Sequence, residues 1–223
     1  AYAHGGEKGH RPDRALTTYV GAIRQAYKGT NIIIGGIEAS LRRFSHYDYW
    51  SNTVKRSILL DSKADLLIYG MGERAIIEIA NQLKDGKSAR EIRNVRGTCW
   101  YTGKESDIVA LQSSNSLSFP CSTRESCEHK DYQVDPLIKP EDDNELLDSD
   151  NDTFDKKQFI HLPSFEEVKN DSPESKQKYA LSYLIQEQNT DAINADILIE
   201  KTDSRFVVQN PPAMPLTTEQ MDK

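Results

Sequence analysis

Hydrophobic positions in the first hundred residues follow two spacings, one typical of helices and one typical of buried strands. Apolar side chains recur every three or four residues in two stretches, which are closed by Gly29 and Gly86. Two short runs of consecutive apolar residues lie between them and indicate strands buried on both faces. The predicted elements are a helix over 12–28, a strand over 31–34, a short helix over 37–44, a strand over 64–69, a helix over 75–83 and a third strand over 98–102.

This alternation predicts an α/β fold, in which helices cover both faces of a parallel, Rossmann-like sheet. Only two or three strands are visible, whereas a sheet of this kind usually has about five. We therefore expect a partial sheet, with residues absent before its first strand. The chain also starts with Ala1 rather than Met, which fits a piece of a longer protein.

The periodic pattern stops at about Gly103 and resumes after Gln158. The residues between them are rich in serine and acidic side chains and contain too few apolar ones to offset the entropy of ordering, so we predict that most of this stretch is a disordered or long-loop insertion. Beyond it, we expect structure to resume at 159–163, and the pattern predicts a helix capped by Ser172 and running from Pro173 to Gln188, a strand over 205–208 and a stiff linker over 210–215. The predicted domains are 1–102 (Rossmann-like), 103–158 (the acidic insertion) and 159–223 (a small α/β segment leading onward).

Charge separates the two halves of the chain. Residues 1–104 contain 17 Lys and Arg against 10 Asp and Glu, whereas residues 105–223 contain 11 against 25. The net charge of −7 therefore combines a basic half with an acidic half, and most of the acidic excess lies in or near the insertion. The acidic half argues against a nucleic-acid partner.

Cysteine usage and hydropathy together indicate a cytoplasmic protein without membrane contact. No apolar run approaches the roughly 18 to 20 residues that a membrane-spanning helix needs, and the first residues lack the features of a secretory signal. Three cysteines (Cys99, Cys121 and Cys127) leave at least one thiol unpaired, which suits a reducing compartment. Their spacing matches neither a zinc pair nor an iron–sulfur run, so we expect no metal site within these residues.

Glycines and glutamates follow both predicted strands, at the edge where open α/β sheets bind ligands. Glycine lets a ligand approach the backbone, and the helix that follows offers free N–H groups. In the alternative interpretation, the glycines only form tight turns and the glutamates complement helix dipoles. The residues concerned are Gly35, Gly36 and Glu38 after the first strand, and Gly70, Gly72 and Glu73 after the second.

The second of these loops, GMGERA at 70–75, matches the G-x-G-x-x-A form of the dinucleotide-binding fingerprint. Two features disfavour that function. The predicted strand at 98–102 supplies no acid for a ribose, and Glu73 would place a negative charge against a pyrophosphate. A nicotinamide or flavin oxidoreductase domain stays an alternative.

The densest group of charged and aromatic side chains spans residues 42–50 and includes Arg42, Arg43, His46 and Asp48. Such a group can clamp an anion, stack a base or dock a second domain. We favour an interdomain contact, and a non-catalytic docking module is a further alternative. In the structural interpretation, the arginines are solvated and His46 is a hydrogen-bonded residue without a chemical role.

Several segments together resemble the N-terminal portion of the YgiQ-type radical S-adenosylmethionine proteins, a bacterial family of unestablished reaction. They are collinear from Arg11 to Asp222, and only the acidic insertion is unmatched. The segments are RPDRA at 11–15, IIGGIEASLRR at 33–43, HYDYWS at 46–51, RSIL at 56–59, KADLL at 63–67, LPSFE at 162–166, YA at 179–180 and NPPAMPL at 210–216.

The resemblance implies that the chain is an N-terminal fragment, whose Rossmann-like region is similar to cobalamin-binding-type domains and precedes a catalytic barrel. In that family the barrel carries a C-x3-C-x2-C run, which holds a [4Fe–4S] cluster that reduces S-adenosylmethionine to a radical. This run is absent here, so the resemblance assigns no cluster ligand to any residue of the sequence, and cobalamin binding is unsupported. The implied partners are the barrel of the same protein and a substrate of unknown identity.

These observations define a predicted crevice at the ends of the strands, facing the substrate or the barrel. We expect Arg42 and Arg43 to hold a carboxylate or phosphate there, and Glu38 and Glu73 to accept hydrogen bonds. No residue is predicted to be catalytic or to bind a metal. The crevice residues are Gly35, Gly36, Glu38, Arg42, Arg43, His46, Asp48, Gly70, Gly72 and Glu73.

Overall fold

A computed structural model describes residues 12–114 and 157–218 of the chain. The helices are α1 (Ala15–Ala26), α2 (Gly36–Leu41), α3 (Ile58–Ser62), α4 (Glu73–Lys84), α5 (Glu105–Ser114), α6 (Phe165–Val168) and α7 (Pro173–Gln188), with a 3-10 turn at Ala89–Glu91. The strands are β1 (Ile33–Ile34), β2 (His46–Asp48), β3 (Thr53–Lys55), β4 (Leu66–Ile68), β5 (Thr98–Thr102), β6 (Phe159–His161), β7 (Ile197–Thr202) and β8 (Arg205–Gln209). In the part of the chain that is described, no helix is long and apolar enough to cross a membrane.

Strands from both halves of the chain form a six-stranded sheet in the order β1-β4-β5-β8-β7-β6. The outer pairs β1·β4 and β6·β7 are parallel, whereas the three inner pairings are antiparallel. The predicted α/β class is therefore confirmed, but the sheet is mixed instead of wholly parallel. The apolar runs did not reveal this, because a strand covered by helices on both faces is apolar in either orientation.

The two halves of the sheet meet through β5 and β8, with Cys99 opposite Gln209 and Thr102 opposite Phe206. Strands predicted for two separate segments, 1–102 and 159–223, thus belong to one sheet. The exact boundaries of the predicted domains stay a prediction. Each half contains a parallel outer pair followed by an antiparallel inner strand.

Helices pack on both faces of this sheet and form its core. On one face, Leu66, Ile68 and Trp100 pack with apolar residues of α4 and α5. On the other face, Leu67 and Cys99 pack with residues of α1 and α3, and the adjoining cluster joins β7 and β8 to the same layer. The alternation of side chains along β4 and β5 accounts for this division.

The stretch predicted as an insertion, most of it disordered or a long loop, begins with an ordered helix, α5. Ile108 is buried in the core, and Asp107 accepts a hydrogen bond from the Thr102 hydroxyl at 2.6 Å. Asp107 also lies 3.0 Å from Arg93. Two apolar residues of α5, Ile108 and Leu111, pack in the core, and Asp107 fastens the start of the helix to the end of β5. The remainder of the predicted insertion, 115–156, lies outside the described residues.

Candidate functional site

The two glycine loops predicted as one site lie in contact at the carboxyl ends of the parallel strands β1 and β4. Gly36 and Gly70 have φ angles of +84° and +65°, a conformation that favours glycine. The Gly70 N–H donates to the Ser40 hydroxyl on α2 at 3.2 Å, so the second loop is fastened to the helix that follows the first. Gly35 precedes α2, and a Cβ there would lie 3.5 Å from the Ile68 carbonyl oxygen.

Gly72 and Glu73 begin helix α4, as the fingerprint interpretation requires. A Cβ at Gly72 would lie 3.0 Å from the side chain of Ile68, so glycine lets the helix start close to the strand. The strand that follows this helix, β5, pairs antiparallel to β4. The dinucleotide fingerprint works within a parallel βαβ unit, and the loop at 70–75 lacks that context.

Glu38 and Arg42 form an ion pair across one turn of α2, with Oε1 and Nη1 3.0 Å apart. The second oxygen of Glu38 accepts the backbone N–H of Leu16 at 3.3 Å. Glu38 therefore ties α2 to the first turn of α1. The Glu38 carboxylate is thus occupied by Arg42 and Leu16, and it does not point into open space at the ends of the strands.

Arg43 points away from its neighbour Arg42 and into the protein. Its Nε donates to the Gln209 side chain at 2.6 Å, and its Nη1 donates to the Ser40 carbonyl at 2.6 Å. Its guanidinium also lies 5.2 Å from the centre of the Tyr69 ring. In this arrangement the donors of Arg43 join α2 to β8, so only Arg42 of the predicted pair faces a cleft.

That cleft is formed by α1, the end of α2, the hairpin β2–β3 and α3, and has a volume of about 230 Å³. It brings together three of the predicted residues, Arg42, His46 and Asp48, with side chains from both flanking helices. Its lining residues are Arg14, Thr17, Arg42, His46, Asp48, Lys55, Ile58 and Asp61. The glycine loops and Glu73 are not part of this lining.

Asp48 is the most deeply buried charge of the cleft, with 1% of its side chain exposed. Its Oδ2 pairs with Arg14 and accepts the Ser51 hydroxyl at 2.5 Å. The hydrogen bond from Ser51, together with the bond and charge of Arg14, lowers the pKa of Asp48 to about 2. The carboxylate is therefore ionised at neutral pH and its charge is balanced by Arg14.

His46 is half-buried, and burial lowers its pKa from the usual 6.5. Its Nδ1 lies 3.1 Å from the Phe44 carbonyl oxygen, which fits a donated N–H. The imidazole is thus largely neutral at pH 7. Among the described residues, Lys55 has no carboxylate partner, whereas Asp61 pairs with Arg56 at 2.5 Å. The cleft consequently carries an uncompensated positive charge.

Arg14, Lys55 and Asp61 were not among the predicted residues. Lys55 enters the cleft because β3 places it directly opposite His46 in the hairpin. The alternation in residues 46–55 and the turn at Asn52, which has a φ of +50°, were the signal for that hairpin. Arg14 and Asp61 come from helices that are distant in sequence, and no spacing connects them.

Comparison of the sequence with known proteins shows which family the chain resembles. A family model described as Radical SAM N-terminal matches residues 1–223. The chain is 43% identical over 222 residues to a UPF0313 protein of Clostridium botulinum (strain Okra / Type B1) and 37% identical to one of Clostridium perfringens (strain SM101 / Type A). Both alignments include 100% of this chain and 26% of the relative, so the chain spans about a quarter of its relatives' length. No solved structure matches the chain.

Proposed function

Since the chain belongs to the Radical SAM N-terminal family, we propose that it is the accessory domain of an enzyme whose remaining part holds a [4Fe–4S] cluster and S-adenosylmethionine. The observation that carries this proposal is the family match over the whole chain, to relatives nearly four times as long. It agrees with the resemblance seen in the sequence. When bound in the remaining part of the protein, the cluster would supply the electron that reduces S-adenosylmethionine to a radical.

The described residues do not fit a cluster of this kind. An iron–sulfur cluster needs several thiolates, and no group of three or more His, Cys, Asp or Glu in ranges 12–114 and 157–218 could hold a metal ion. The thiol of Cys99 is fully buried, and burial raises its pKa to about 12. The proposal therefore assigns the cluster to the remaining part of the protein and gives Cys99 a packing role.

The full-length protein that contains this chain provides the test. After anaerobic reconstitution we expect about four irons and four sulfides per chain, and formation of 5′-deoxyadenosine from S-adenosylmethionine with a chemical reductant. Cys99→Ala should keep both properties, whereas alanine at the cysteines of a C-x3-C-x2-C run in the remaining part should remove them. A full-length protein that holds no iron and sulfide would refute the proposal and favour a non-catalytic docking module.

We further propose that the cleft receives a carboxylate or phosphate group, of the substrate or of the catalytic part. Arg14 and Asp61 are neutralised by their partners, and Glu38 offsets the charge of Arg42. Lys55 therefore supplies the attraction, and Arg42 supplies guanidinium N–H donors beside it. The observation behind this proposal is that Lys55 lies opposite His46, which is neutral, so that the positive charge of Lys55 is available to an anion.

Inorganic phosphate is the probe for this cleft. At ten times its Kd, bound phosphate should raise the free energy of unfolding of the chain by about 1.4 kcal/mol relative to chloride of equal ionic strength. Lys55→Met should abolish the increase, while Lys84→Met, at an exposed position on α4, should keep it. An increase that Lys55→Met leaves intact, or no increase at all, would contradict an anion site in the cleft.

A further inference from the structure

Three large apolar side chains are exposed at the carboxyl ends of β1 and β4. Ile37 and Leu41 lie one turn apart on α2 and are 79% and 73% exposed, and Met71 in the neighbouring loop is 57% exposed. We call Ile37, Leu41 and Met71 the edge patch. The Gly70 N–H donates to the hydroxyl of Ser40, which ties the Met71 loop to the same helix. Exposed large apolar side chains grouped at one edge in this way are typical of an interaction site.

The chain leaves the sheet at the same edge. Strand β8 is antiparallel to β5, which is antiparallel to β4, so β8 and β4 end on the same side. After β8, the Pro211 carbonyl accepts the Gly97 N–H at 2.7 Å, and Asn210 accepts the Tyr69 hydroxyl through its carbonyl at 2.5 Å. Tyr69 immediately precedes the Gly70 loop, so the outgoing chain passes beside the edge patch.

Further contacts fix the outgoing segment against this edge. A Cβ at Gly97 would lie 3.2 Å from the Ala213 side chain and 3.5 Å from the Tyr69 carbonyl oxygen, so Ala213 and Tyr69 are close neighbours. Arg96 donates to the Pro212 carbonyl at 3.1 Å. The outgoing segment is therefore held beside this edge as far as Met214, whose sulfur lies 3.7 Å from Arg96 Nη2.

We propose that the edge patch is the surface on which the remaining, C-terminal part of the same protein packs. This inference rests on the proposed function, because it takes the catalytic part as the occupant. The relatives are about four times as long as the matched length, and the family that matches the chain is described as Radical SAM N-terminal. The outgoing segment therefore lies beside an apolar surface that is left exposed in the described part of the chain. The surface of the C-terminal part that contacts the edge patch should be apolar, because Ile37, Leu41 and Met71 carry no charge that could form an ion pair.

Photo-crosslinking in the full-length protein tests the contact directly. With p-benzoylphenylalanine replacing Ile37 or Met71, we expect intrachain crosslinks to peptides beyond residue 223. The same label at Leu184, which is 52% exposed on α7, should give none. Crosslinks only between two copies, or none beyond residue 223, would overturn the proposal.

A charged substitution tests the energetic contribution of the patch. Leu41→Asp in the full-length protein should increase the rate of proteolysis after residue 218 about tenfold, because a charge in an apolar contact weakens packing. Leu184→Asp is the matched control and should change that rate less than twofold. An unchanged rate for Leu41→Asp would contradict the inference. If iron, sulfide and 5′-deoxyadenosine appear without the crosslinks, the docking inference fails and the proposed function stands. If the crosslinks form but iron, sulfide and 5′-deoxyadenosine do not appear, the proposed function fails and the contact between the two parts stands.

Discussion

We expect Asn210→Ala to lower the free energy of unfolding of the chain by about 4 kcal/mol, because its side chain satisfies several buried polar groups at once. Asn210 is 2% exposed. Its Nδ2 lies 3.0 Å from the Arg93 carbonyl and 2.8 Å from the Val95 carbonyl, and its Oδ1 accepts the indole N–H of Trp100 at 3.3 Å. Alanine would leave these groups without partners in the core.

Urea unfolding followed by tryptophan fluorescence measures this effect. Asn194→Ala is the control, because Asn194 is exposed and bonds only to the nearby Asp191, and we expect it to change the free energy by less than about 0.5 kcal/mol. A loss below 1 kcal/mol for Asn210→Ala would show that the surrounding groups find other partners.

Helices and strands with a long periodic pattern were predictable, because the residues within each segment determine its secondary structure. The predicted helix from Pro173 to Gln188 is confirmed as α7, and Ser172 caps it by accepting the Ser175 N–H at 3.1 Å. The predicted strand at Thr98–Thr102 is confirmed as β5. In both, burial and capping leave a local pattern in the sequence.

Elements that depend on tertiary contacts were missed. Strand β7 was not predicted, because Glu200 and Lys201 interrupt its apolar run. Glu200 is nevertheless fully buried and accepts the Ser45 N–H at 3.0 and 3.1 Å. The hairpin β2–β3 and helix α3 were also missed, because they are only three to five residues long. Short elements owe their conformation to neighbours that a linear pattern does not show.

The candidate site shows the same division. The cluster at 42–50 does supply Arg42, His46 and Asp48 to one cleft, as its density of charges suggested. The sequence could not distinguish Arg42 from Arg43, which point in opposite directions after the end of α2. Side-chain direction at a helix end depends on the exact path of the following loop, and that path is set here by the hairpin and by β7.

Glu200→Gln should remove a pH dependence of stability between about pH 4.5 and pH 7. Burial raises the pKa of Glu200 from 4.5 to about 7, although the Ser45 N–H partly opposes the rise. The folded chain therefore binds this proton more tightly than the unfolded chain. The stabilisation is fully present below pH 4.5 and is lost as the pH rises through about 7, by an amount on the order of 3 kcal/mol.

The measurement is the free energy of unfolding of the chain and of Glu200→Gln at a series of pH values from 5 to 8. Between pH 5 and pH 8 the difference between the two should change by about 2.5 kcal/mol in favour of Glu200→Gln as the pH rises, because glutamine cannot ionise. The difference is free of the contribution of His46 to the pH dependence, because that contribution is the same in both proteins. The lowered pKa of His46 acts in the opposite direction over the same range. Glu187→Gln, at an exposed position of α7, should follow the unmodified chain throughout. A difference that stays constant within 1 kcal/mol would mean that Glu200 ionises without penalty, through water or a rearrangement of the Ser45 loop.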